Sequence, residues 1–217
     1  MAATSWLARL GSLTASYHPV ADTQRLAVMD VVSPAQYRAF LERIYGFESA
    51  VELRAASIPA VSEAATGARA RIYRLHQDLL ALGLTEQDIS AIPQPLVDGR
   101  TASDALGYLF VVERHTLLAG LLRRHLAPRL RDTFARARAY FDAHTEGGKH
   151  LREFGDELTA SLTRKESRPE AILGAARRAF ETQQQWYARS ARATRRARRA
   201  SDAPTPAVAA ASRGDAA

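Results

Sequence analysis

The chain has no cysteine, which excludes structural disulfides, thiolate metal sites and a cysteine nucleophile. Any metal must be held by histidines or carboxylates, or arrive inside a cofactor. Lysine is almost missing too: Lys149 and Lys165 are the two present, so arginine carries nearly all the positive charge. No window approaches the roughly 18 uninterrupted apolar residues of a membrane span, and the opening MAATSWLARLGSLTASY lacks the basic-then-apolar order of a signal peptide. A soluble, cytoplasmic protein without a membrane partner is expected. No segment alternates in the β-branched manner of a strand. A phosphate-binding glycine loop, a dinucleotide fingerprint, HExxH and GxSxG are all missing.

What is present is helical spacing from end to end. With 217 residues, 47% of them hydrophobic, the chain can bury one sizeable core, and a single all-α domain is expected. The net charge of +7 is unevenly spread: residues 188–217 hold seven arginines against two aspartates, which accounts for +5 of it. The second half of that stretch is Ala, Pro and Ser with nothing large to bury, so 196–217 reads as a disordered tail following a domain at 1–195. Its arginines read as a solvated helix end, and a nucleic-acid partner is not expected.

About seven helices are predicted. The first runs from Ser5 into the twenties with Leu7, Leu10, Leu13 and Tyr17 on one stripe, bent or divided by Pro19. The second starts at Ser33-Pro34, a cap followed by proline at the first helical position, and carries Tyr37, Phe40, Leu41, Ile44, Phe47 and Val51. A third spans about 68–82 and stops at Gly83. Thr85 and Asp88 open a short turn, 93–99 is a loop, and the longest helix covers 101–126, closed by Pro128. Further helices are expected at about 129–142, 149–163 and 169–195.

The candidate chemistry is carried by histidines inside helices, His18 in the first and His115 and His125 in the longest. Glu42, Glu48 and Glu52 lack the ExxH partners that a di-iron bundle requires. The order of landmarks resembles bacterial haem oxygenases of the compact, bacteriophytochrome-associated type. The likeness is carried by Thr14 and His18, YRAFLERIYGFESAVE (37–52), LGYLFVVERHTLLAGLLRRHL (106–126), YFDAHTEGGKHLREF (140–154) and AARRAFETQQQWY (175–187).

That resemblance implies a helical fold holding haem between the first and the longest helix. His18 would be the iron ligand, Arg177 would face a propionate, and Arg114, His115 and Leu118 would line the distal side. Haem would be both substrate and cofactor, opened to biliverdin, CO and iron with electrons from a ferredoxin or flavoprotein reductase. The distal run departs from the family: Arg114 and Leu118 stand where glycines give backbone access to the porphyrin. A helical wheel places Phe110, Arg114, Leu117, Leu118, Leu121, Leu122 and His125 along one arc, with the arginine in its middle, so Arg114 must find a partner. Three readings stay open: an active haem oxygenase, a haem-independent binding or interaction module with a filled pocket, and a six-coordinate haem carrier in which His115 reaches iron opposite His18.

Overall fold

The computed structural model describes residues 5–61 and 71–201, with side chains over 5–61, 71–146 and 148–189. Among these residues there are nine α-helices and no strand, as the all-α reading requires. They are α1 (Trp6–Leu13), α2 (His18–Leu26), α3 (Pro34–Ala56), α4 (Arg71–Ala81), α5 (Glu86–Ser90), α6 (Ala102–Arg136), α7 (Ala139–Ala143), α8 (Gly147–Thr163) and α9 (Pro169–Ser201).

The expected first helix is two. A 3-10 turn, Ala15–Tyr17, separates α1 from α2, and Pro19 sits in the first turn of α2, where a missing N–H costs nothing. His18 is therefore the first residue of a helix. The predicted caps at Ser33 and Thr85 form, and Thr101 adds a third. Ser33 accepts from the Gln36 N–H at 3.3 Å, and Thr85/Asp88 and Thr101/Asp104 each make a reciprocal capping box. Gly83, at φ 89°, turns the chain after α4 in a conformation that disfavours a side chain.

The long helix passes Pro128, its expected end, and breaks instead at Arg131, which has non-helical backbone. Leu130 and Phe134 beyond the proline are buried, so packing holds the helix past the lost hydrogen bond. By length and apolar composition α6 could cross a membrane, but most of that window is buried inside the bundle, where α6 packs against α3, α8 and α9. Its crossing with α9 depends on Gly107. A Cβ there would lie 2.5 Å from the Ala175 Cβ and 2.6 Å from both the Ala176 N and the Ile172 O.

Two apolar clusters fill the bundle. One joins the first half of α6 to α8 and α9 through Leu106, Phe110, Phe154 and Phe180; the other joins the start of α3 to α4, α7 and the second half of α6 through Phe40, Ile44, Leu122 and Phe141. Between them, on α3 and α6, the sequence switches to Glu48, Ser49 and Glu52 and to Glu113, His115 and Thr116, all buried. A polar seam thus divides the core. A further helix start is buried nearby: Asp78 of α4 accepts from the N–H groups of Ala139 (2.8 Å) and Tyr140 (2.9 Å), capping α7 from a neighbouring element.

The tail assignment needs correction at its start. Residues 196–201 continue α9 as helix rather than beginning a disordered segment; the remainder, 202–217, lies outside the described residues.

Candidate functional site

His18 stands half-buried at the start of α2, its ring 5.6 Å from that of Phe180. The Thr14 hydroxyl donates to the Leu10 carbonyl at 2.8 Å, so its oxygen is left to accept from His18 Nε2 at 3.1 Å. The proton therefore sits on Nε2 and the basic lone pair on Nδ1. Burial lowers the pKa of His18, the Arg114 guanidinium lowers it further, and Asp22 opposes both.

Arg114 has found the partner its apolar surroundings demand. Its two terminal nitrogens donate to the two carboxylate oxygens of Asp22 at 3.0 and 3.2 Å. Asp22 lies one turn after His18 on α2, so the fork ties α6 directly to the helix that carries the histidine. The Cα atoms of α2 and α6 approach within 8 Å. A haem held between an imidazole on one helix and the face of another needs that interval open by more than a side chain's length. As arranged, these residues do not make the slot. A groove beside Tyr17, Val20, Ala21, Gln24 and Phe180 opens between α2 and α9 instead, with no lining residue from α6.

The other expected site residues are placed elsewhere. Leu118 is half-buried and packs in the cluster that also contains Leu26, the last residue of the histidine's helix, and Val28 and Met29 just after it. Arg177 is exposed on α9, one turn before Glu181, whose carboxylate accepts from the Tyr17 hydroxyl at 3.4 Å. His125 meets the Met29 carbonyl through Nε2 at 2.9 Å. His115 turns inward: it is 3% exposed, lies against Phe47, and engages Glu48 through Nδ1 at 3.1 Å. It is committed to the seam rather than placed as a second ligand opposite His18.

The seam is the most elaborate polar site in the molecule, and the sequence reading missed most of it. One oxygen of Glu48 accepts from three donors: Tyr140 Oη at 2.9 Å, His115 Nδ1 at 3.1 Å and Arg25 at 3.3 Å. Arg25 also donates to the hydroxyls of Tyr140 (2.6 Å) and Tyr187 (3.4 Å). Arg71 joins α4 to two more carboxylates, Glu52 at 2.5 Å and Glu113 at 3.1 Å. Two adjacent buried sets, one around Glu48 and one around Arg71, together pin five helices and the short α7.

Their protonation follows from position. Burial alone would raise Glu48, but the His115 hydrogen bond and the Arg25 cation outweigh it and hold the carboxyl down to about 2. Burial pushes Glu52 up to about 7 against the pull of Arg71. His115 is depressed to about 4 by burial and then by Arg25, so Glu48 is ionised and His115 neutral near pH 7. The imidazole then donates through Nδ1 and presents a bare Nε2 lone pair toward Gln183. Among the described residues, the buried Glu48 Oε2 and Ser49 Oγ have no hydrogen-bond partner.

Two signals for this site were in the sequence. Glu48 and Glu52 lie one helical turn apart inside an apolar run, and Glu113 interrupts YLFVVERH. Arg25 and Arg71 gave none. Guanidinium groups supply the positive charge at the seam, and among the described residues no group of three His, Cys, Asp or Glu could hold a metal ion. Comparison of the chain with protein-family models, with curated proteins and with solved structures finds no match in any of the three.

Proposed function

We propose that the chain is a haem-independent binding or interaction module, a helical bundle whose haem-sized interval is filled. The observation that carries this reading is the two-point Arg114–Asp22 pair, which joins α6 to α2 beside His18. Leu118 packed into the apolar core, and a His18 Nε2–H already engaged with Thr14, support it. The polar seam gives such a module a rigid frame: a shift of the helices that parts Arg25 from Glu48 or Arg71 from its carboxylates leaves a buried charge unpaired, which disfavours alternative packings.

A second reading is the haem oxygenase that the sequence resembles, with haem as substrate and a ferredoxin or flavoprotein reductase as electron donor. One observation favours it: His18 begins α2 with its Nδ1 lone pair outside the Thr14 bond and a cation nearby. It requires Arg114 to leave Asp22 and α6 to move away from α2.

Titration of the purified protein with hemin separates the two. The expected result is the spectrum of free hemin throughout, in the wild type and in His18→Ala alike. A Soret band that His18→Ala abolishes overturns the module, and growth of biliverdin absorbance under air with reductant then selects the oxygenase.

A further inference from the structure

The last core residue of α9 among those whose side chains are described is Tyr187, and the helix continues for 14 residues to Ser201, about 21 Å at 1.5 Å per residue. Within this continuation, 189–199 contains six arginines in eleven residues, against 28 in the 217 of the whole chain. A general preference for arginine over lysine does not account for a fourfold local excess. No acidic residue occurs between Glu181 and Asp202. A merely solvated helix intersperses opposite charges three and four residues apart, whereas here Arg192, Arg195, Arg196 and Arg199 are like-charged at those spacings.

Because the segment is helical, its register can be read. At 100° per residue, positions 189, 192, 195, 196 and 199 fall in one sector of roughly 120°, and Arg198 lies about 60° beyond its edge. The opposite sector holds Ser190, Thr194, Ala197 and Ser201, with Ala193 and Ala200 between it and the arginines. Such a helix repels itself along one side and is relieved by a linear polyanion.

We propose that the end of α9 is a binding surface for double-stranded nucleic acid, acting on the phosphate backbone without base specificity. Arginine suits this role because its planar fork meets phosphate oxygens two at a time. A lipid surface fits less well, since the sector opposite the arginines has no large apolar residue to enter the acyl region. Single strands fit less well too, because 188–201 offers no aromatic platform for a base. The inference goes beyond the function proposed above and does not depend on it: α9 beyond Tyr187 lies outside the α2–α6 interval, so the hemin titration and the nucleic-acid test fail separately.

The test is fluorescence anisotropy with a labelled mixed-sequence DNA duplex of about 20 base pairs, across a salt series. With five to six phosphates neutralised, log affinity should fall against log salt with a slope of about −5, a roughly thousandfold loss between about 50 and 200 mM salt. The variant R192Q/R195Q/R196Q/R199Q leaves the core untouched and should lower that slope by about 3.6. Equal salt slopes for the two proteins overturn the proposal. So does binding of the wild type to phosphatidylserine vesicles, or to an oligothymidine of equal length, in preference to the duplex.

Discussion

Glu48 and Glu52 show how far two residues of one type can diverge when one helical turn separates them. Glu48 is ionised and is the counter-charge of Arg25, with three donors on a single oxygen. Replacing it by glutamine leaves a guanidinium buried without its anion, and Glu48→Gln should cost about 3–5 kcal/mol. Glu52, pushed up to about 7, is about half protonated near neutral pH, and Arg71 keeps the Glu113 carboxylate, so Glu52→Gln should cost only about 1–2 kcal/mol. Urea unfolding near neutral pH compares them directly, and equal losses would contradict the assigned charges. The sequence offered the carboxylates as a pair but not their roles, because the donors come from residues 23 to 92 positions away. His115 illustrates the same limit: its place near the edge of the apolar arc was legible, whereas its inward turn to Glu48 is a property of the packed bundle.

At the scale of helices, local rules located starts better than stops. Ser33 and Thr85 cap as expected because a cap is made within four residues. Pro128 failed as a stop because the residues after it are buried, and burial outweighs one lost backbone bond. Glycines in α6 divide similarly according to what faces them. Gly107 meets α9 backbone, so Gly107→Ala should destabilise by roughly 1–3 kcal/mol despite alanine's higher helix propensity. Gly120, on the same helix, would place a Cβ no closer than 3.7 Å to the Arg124 side chain; Gly120→Ala should stabilise by up to about 1 kcal/mol. Thermal unfolding reads both signs, and a shift in the same direction for both would refute the close α6–α9 crossing.

At the scale of the whole molecule, the buried groups set a pH dependence that no single one of them would give. His115 and His144 are each held down to about 4, chiefly by burial. Between about 6.5 and 4 the unfolded chain binds more protons at these two positions, so the stability they contribute above about 6.5 is lost as pH falls through that interval. Glu52 and Asp78, pushed up to about 7 and about 6 by burial, act in the opposite sense: their contribution is complete at low pH and is lost as pH rises through those values. Two groups oppose two across the mildly acidic range, and the stability of the wild type should stay nearly flat there. Below about 4.5 the balance ends, because Glu48, held down to about 2, is protonated in the unfolded chain first. Removing one histidine exposes the compensation. In His115→Gln the carboxyl side is unopposed by that ring, so the variant should regain stability relative to the wild type as pH falls from about 6.5 to 4.5, by about 1.4 kcal/mol per pH unit. Urea midpoints at about pH 7, 6 and 5 measure that closing gap, and a gap that stays constant would mean that His115 titrates alike in the folded and unfolded chain, which the buried Glu48–His115–Arg25 geometry forbids.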